Sequence, residues 1–256
     1  MNGILLWAGM TEFSTVDYPG KPCAVVFLCG CPFHCPWCHS PELALADSKA
    51  CDETRSDTIV DRLKQNFLIS AVTITGGEPL MQLQLINLLR AIKTETKLLT
   101  KIDSNCFFPE QLEKALPLLD SISTDIKAPF NEKYGVAVGR QDWKNVVEQV
   151  KKSHEILQDY KVKNPNFLIE VRTTIVPDLI DNMKDIEQIA RQVAYLNADI
   201  YTLQQFRPTK TLDSNYELKK IPSREEVLEL AKIAITLLQK TKVRIVTEEN
   251  GFEDVE

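Results

Sequence analysis

Short apolar runs of strand length alternate along the chain with longer segments whose apolar residues recur every three or four positions. Residues 24–28 (AVVFL) and 71–75 (AVTIT) are such runs, and 97–102, 121–126, 167–176, 199–206 and 243–246 complete a set of seven predicted strands. Between them, Trp143, Val146, Val147, Val150 and Leu157 fall on one face of a helix. Val227, Leu230, Ala231, Ala234, Leu237 and Leu238 do the same further on, with Ser223 as N-cap, Glu226 three residues later and Pro222 just before. Strand, helix, strand repeated this often predicts right-handed βαβ units and a mostly parallel sheet. The strand count falls short of a closed eight-stranded barrel, so the expected fold is α/β, a partial, open, TIM-like (β/α)6 barrel. The polar stretches 131–141 and 208–222 are expected to be exposed loops. Without low-complexity tracts, repeats or long linkers, residues 1–256 read as one domain: an N-terminal element over 1–22, a barrel core over 23–247 and a tail over 248–256.

Charge narrows the partners. Lys and Arg number 30 against 36 Asp and Glu, a formal net charge of -6, whereas nucleic-acid binding wants a basic face. No apolar run approaches the roughly 18 residues of a membrane span. Met1 to Met10 lacks a basic n-region and a small-residue cleavage site, so a cytoplasmic location is expected. Seven cysteines are present; Cys29, Cys31, Cys35 and Cys38 crowd together, while Cys23, Cys51 and Cys106 lie apart. In a reducing cytosol such clustering predicts a metal or redox site rather than bridges.

In parallel α/β sheets, ligands sit at the carboxyl ends of the strands. The cysteines follow the first predicted strand, and Gly76-Gly77-Glu78-Pro79 follows the second. Asp103-Ser104-Asn105 ends the third and Asp125-Ile126-Lys127 the fourth; the fifth carries Glu170 and Arg172, and the sixth ends in Gln204-Gln205-Phe206-Arg207. Cys31, Cys35 and Cys38 have the spacing C-x-x-x-C-x-x-C, which points three thiolates at one centre. On a four-iron cube, three ligands leave one iron open for chemistry. The competing reading is structural zinc with His34, His39 or Cys29 as fourth ligand, although such sites usually draw on two separated ligand pairs. Positions two apart share a strand face, so Asp125 and Lys127 point the same way. Glu170 and Arg172 do too, and the pair reads either as a structural salt bridge or as a place where Arg172 meets a substrate carboxylate. His154, between Val150 and Leu157, reads as a histidine at the boundary of an apolar helix face.

The C-x-x-x-C-x-x-C motif, with an aromatic residue before its last cysteine, resembles the signature of the radical S-adenosylmethionine (radical SAM) superfamily, and Gly76-Gly77-Glu78-Pro79 resembles that superfamily's glycine-rich motif. The stretches 15–20 (TVDYPG), 38–43 (CHSPEL), 125–129 (DIKAP), 170–177 (EVRTTIVP) and 201–208 (YTLQQFRP) resemble the glycyl-radical-enzyme activating enzymes, nearest to those serving anaerobic ribonucleoside-triphosphate reductase. Cys29 and Cys106 depart from the pattern and are read as packed thiols.

The resemblance implies a 4Fe-4S cluster on Cys31, Cys35 and Cys38 whose open iron binds S-adenosylmethionine. It implies that the backbone near Trp37 meets the adenine, that the backbone of Gly76, Gly77 and Glu78 meets the methionine amino group, and that Asp103 and Asn105 approach the ribose or a monovalent cation. Asp125, Lys127, Arg172 and Thr174 would line the pocket near the methionine carboxylate, with Arg172 as its anchor. His34 and His39 would tune the cluster from outside its ligand set. An electron from a flavodoxin or ferredoxin-type donor would release a 5′-deoxyadenosyl radical, which takes a hydrogen atom from a glycine Cα of anaerobic ribonucleotide reductase. Asp17 to Gly20 would face the partner's glycyl loop. Two other functions remain open at this point: a radical SAM enzyme of small molecules, similar to 7-carboxy-7-deazaguanine synthase, and a zinc-binding adaptor.

Overall fold

Strands buried on both faces read as unbroken apolar runs, and for this reason the central strands lie where the sequence pattern puts them. The structure, a computed structural model, describes residues 3–256; Met1 and Asn2 of the 1–22 element lie outside the described residues. Two compact units are distinguished, one holding the chain up to Pro32 together with Ser40–Ser123, the other Phe33–His39 with Thr124–Glu256.

The first unit runs β1 (Ile4–Ser14), β2 (Cys23–Leu28), α1 (Pro41–Ala44), β3 (Asp52–Arg55), α2 (Ser56–Gln65), β4 (Ala71–Gly76), α3 (Leu85–Glu95), β5 (Leu99–Ser104) and α4 (Pro109–Ala115). β2, β4 and β5 are parallel neighbours, and β1 lies antiparallel between β2 and β3. β6 (Ser121–Asp125) contains the boundary between the units. The second unit continues with α5 (Glu132–Val138), α6 (Trp143–Lys163), β7 (Leu168–Ile175), α7 (Met183–Leu196), β8 (Ile200–Gln205), α8 (Arg224–Leu237), β9 (Lys242–Thr247) and β10 (Gly251–Asp254). Here β7, β8 and β9 are parallel and β10 turns back antiparallel on β9. The expected α/β class with a mostly parallel, open sheet is observed. Among the described residues no helix is long and apolar enough to cross a membrane.

The predicted strands and the two predicted helices are all present, and the start of α8 carries the full capping box: the Glu226 N–H donates to Ser223 Oγ while the Ser223 N–H donates to the Glu226 carboxylate. β1, β3 and β10 were not expected. β3 has no apolar side chain, and β1 is mostly half-exposed with two register shifts against β2, so main-chain pairing rather than an apolar face holds them.

The loop expected over 131–141 is instead largely helix. Asn131 caps α5 by accepting from the Lys133 N–H, and Tyr134, Gly135, Ala137 and Val138 are buried. Its two glycines are not breakers in the ordinary sense. A Cβ on Gly135 would lie 2.7 Å from that of Trp143, and Gly139 ends the helix at φ +65°. The 208–222 stretch is only partly an exposed loop, since Ser214–Leu218 forms a short 3-10 helix and Thr211 is buried.

Candidate active site

In the first unit, the exit of β2 is clamped from two sides. Gln82 donates from Nε2 to the carbonyls of Leu6 and Cys29, and its Oε1 accepts from the Leu6 N–H. On the other side Gly76-Gly77 presses against the same exit. A Cβ on Gly76 would lie 2.1 Å from the Leu28 carbonyl oxygen, and one on Gly77 would lie 2.1 Å from that of Gly30. The Gly77 and Glu78 N–H groups donate to those two carbonyls, each at 2.7 Å. The glycine pair is therefore demanded by close backbone approach, and it fixes the start of the cysteine loop.

Glu78 is 1 % exposed and spends its carboxylate inside the unit: Oε1 accepts from the Leu80 N–H and Ser104 Oγ, Oε2 from the Asn105 N–H. Asn105 in turn lies 3.6 Å from Cys31 Sγ through its amide nitrogen. Asp103 is paired with Lys101, a buried lysine that sequence reasoning missed because it sits inside an otherwise ordinary strand. Lys101 also donates to the main-chain carbonyl of Asp17 at 2.9 Å, and Thr73 Oγ1 donates to the same oxygen. The Asp17 carboxylate accepts from Ser14 Oγ, and Tyr18 is buried against Cys23, Val25 and Ala71.

In the second unit, the 33–39 segment is held by backbone bonds. The His34 N–H donates to Val138 at the end of α5, and Pro36 and Cys38 offer their carbonyls to the Asp213 and Leu212 N–H groups. Trp37 is buried, its ring 6.3 Å from that of Tyr216. Asp125 sits between Lys127, at 3.2 Å, and Arg172, at 3.4 Å. Burial alone would raise the Asp125 carboxyl, but the two cations outweigh it and hold it below the usual carboxylate range. Thr174 Oγ1 lies 3.5 Å from Gln204 Oε1. Burial pushes the Cys35 thiol up to about 11, against a smaller downward pull from Lys127. Burial likewise lowers His39, with Lys127 adding to the effect and Asp125 opposing it. A cavity of about 810 Å³ between α7 and α8 is lined by none of these residues.

Two contacts join residues that the sequence did not pair. Glu170 accepts from Arg244, at 2.5 Å, and from Thr202, and Arg172 lies 3.4 Å from Asp125. Arg244 comes from β9, remote in sequence and separated from β7 in the parallel ladder by β8 alone. Cys29 is not a packed thiol; it forms a disulfide with Cys51 across 22 residues. Cys106 is a buried free thiol, as expected. His154 lies deeper than the helix boundary, at 2 % exposure.

A 4Fe-4S cluster can be tested against the donors present. Cys31, Cys35 and Cys38 are all free thiols. A thiolate at buried Cys35 needs a nearby positive centre, which a metal site supplies. The chemistry fits. Among the described residues, however, no group of three or more His, Cys, Asp or Glu side chains is gathered closely enough to hold a metal ion. The three thiols qualify by donor type and spacing, not by a gathered ligand set.

Residues 25–193 match the model of the radical SAM superfamily. A Methanocaldococcus jannaschii protein, whose name assigns it to the glycyl-radical enzyme activating enzymes, is 31 % identical over 245 residues, covering 94 % of this chain and 96 % of its own. The pyruvate formate-lyase-activating enzyme of Streptococcus mutans is 24 % identical over 196 residues, covering 72 % and 70 % of the two chains. Among solved structures, TYW1 with a lysine-pyruvate adduct bound matches at a TM-score of 0.59 and 17 % identity, over 90 % of this chain and 77 % of that one. The chain belongs to the radical SAM superfamily. Within it, the full-length match makes it one of the glycyl-radical enzyme activating enzymes, and the zinc-adaptor reading falls away.

Proposed function

We propose that this enzyme, working in the cytoplasm, generates a glycyl radical on an anaerobic ribonucleoside-triphosphate reductase, drawing its electron from a flavodoxin or ferredoxin-type donor. The observation that carries the reading of the pocket is the grouping of Asp125, Lys127 and Arg172, whose electrostatic field reaches both Cys35 and His39. Two cations sharing one carboxylate sum to one positive charge, which suits the carboxylate of an amino-acid moiety.

Cys31, Cys35 and Cys38 would hold the 4Fe-4S cluster, which when bound supplies the electron that cleaves S-adenosylmethionine to a 5′-deoxyadenosyl radical. Lys127 and Arg172 would bind the methionine carboxylate. The Gly77 and Glu78 N–H groups are already spent on the Leu28 and Gly30 carbonyls, so a methionine ammonium, itself a donor, would be met by backbone carbonyl oxygens of this stretch, each of which has two lone pairs. Asp103, held by Lys101, would accept from the ribose hydroxyls or a monovalent cation. Trp37, packed on Tyr216, would shield the adenine side from water. A glycine Cα–H offers no charge to recognise, so selectivity would come from docking a whole loop against Asp17 to Gly20.

The test is electron paramagnetic resonance of the reduced, reconstituted protein with S-adenosylmethionine and one of two candidate substrates. A glycyl doublet on the anaerobic reductase and none on pyruvate formate-lyase is expected. A doublet on pyruvate formate-lyase alone would overturn the choice of partner, and turnover of a small molecule without any protein partner would overturn the activase reading.

A further inference from the structure

Both ends of the Asn105 amide are committed. Its Oδ1 accepts from the Phe107 N–H at 3.0 Å, an Asx turn that leaves the nitrogen end facing Cys31 Sγ at 3.6 Å. The frame behind it is rigid and buried. The Asn105 N–H is held by Glu78 Oε2 at 2.6 Å, and Ser104 Oγ donates to Glu78 Oε1 at 2.8 Å while accepting from the Cys106 N–H at 3.0 Å. Cys106 lies in the left-handed region at φ +59°, which turns the chain sharply just after the amide. Glu78, Ser104 and Asn105 are each no more than 6 % exposed.

We infer that Asn105 tunes the iron–sulfur cluster, as a positioning residue that donates to the sulfur of Cys31, rather than belonging to the ribose contacts of S-adenosylmethionine. The inference rests on the reading that Cys31 ligates the cluster. A hydrogen bond to a ligating sulfur stabilises the more electron-rich, reduced state and so raises the potential. In this chain the glycine-rich motif and the third strand end therefore act on the cluster jointly: Glu78 orients the Ser104–Asn105 turn, and the turn aims the amide.

The experiment is a redox titration of the reconstituted full-length protein without S-adenosylmethionine, followed by electron paramagnetic resonance, with iron content measured alongside. Asn105→Leu removes the donor, and Asn105→Asp keeps the side-chain shape and the Asx turn while replacing the donor with an acceptor. Each is expected to bind iron and to shift the one-electron equilibrium about tenfold towards the oxidised cluster, about 59 mV lower in midpoint. Should Asn105→Leu fail to fold, Asn105→Asp decides the matter alone. An unchanged midpoint in an iron-loaded variant overturns the inference, and weakened S-adenosylmethionine binding alongside it would return Asn105 to the cofactor pocket. Failure of the underlying reading looks different: Cys31→Ala would then retain its full iron content and cluster signal.

Discussion

Lys101 on β5 donates to the main-chain carbonyl of Asp17, 84 residues earlier in the chain, and with its other contact neutralises Asp103. The N-terminal segment is thus tied to a strand end by a buried charge. Removing Lys101 leaves the Asp103 carboxylate without its cation, a loss of about 3 kcal/mol for a buried pair broken on one side. Lys101→Met should lower the urea midpoint accordingly, and Lys101→Met with Asp103→Leu should recover part of it. No recovery in the double variant would mean that the Asp17 contact, not the ion pair, carries the stability.

Gly77 is a second point where packing sets the site. A methyl group there would meet the Gly30 carbonyl oxygen at 2.1 Å, so one backbone must retreat. Gly77→Ala should reduce iron loading of the reconstituted protein several-fold while the far-ultraviolet circular dichroism stays near wild type. Wild-type loading would show that the cysteine loop tolerates displacement of the β2 exit.

These two contacts mark where sequence reading ran out. The parallel strands were legible because burial on both faces writes itself as an apolar run, as in 24–28 and 71–75. β3 was not, since an edge strand of Asp, Glu, Thr and Arg is specified by its neighbour's main chain. α5 was hidden by its glycines, whose reasons are tertiary: α6 packs on Gly135 and the His34 backbone on Gly139. The cysteine spacing and the strand-end residues could be read directly. Their partners could not, because Lys101, Arg244 and Cys51 meet Asp103, Glu170 and Cys29 only once the chain is folded.

The Cys29–Cys51 disulfide stands two residues before Cys31 and closes a loop of 22 residues. Closure of a loop near this length constrains the unfolded chain by about 3 kcal/mol. Purified oxidised protein, alkylated without reduction and digested, should yield a peptide linking Cys29 to Cys51 and leave Cys23, Cys31, Cys35, Cys38 and Cys106 open to modification. Cys51→Ala should cost most of that stability under oxidising conditions and little under reduction. Its iron content should stay close to wild type, and a large loss of iron would instead draw Cys29 or Cys51 into the cluster site.

The pH dependence of stability should carry the mark of His154. This ring is buried on α6 beside Phe130, with no hydrogen-bond partner at Nε2, and burial lowers it from the ordinary 6.5 to about 4. The folded state therefore holds it neutral over a window in which the unfolded chain takes up a proton. Because the unfolded state binds more protons there, stability is greatest above about 6.5 and falls as the pH drops towards 4, below which this contribution levels off. A shift of this size corresponds to about 3 kcal/mol across the window. Asp125 adds its own loss only at lower pH, since its carboxyl is held below the usual range and must be protonated before the ion pairs are lost. His154→Phe removes the titrating group and fills the site with an apolar ring, so denaturant midpoints between pH 6.5 and pH 4 should become markedly flatter. An unaltered slope in His154→Phe would show that the carboxylates, and not the buried imidazole, govern acid sensitivity in this range.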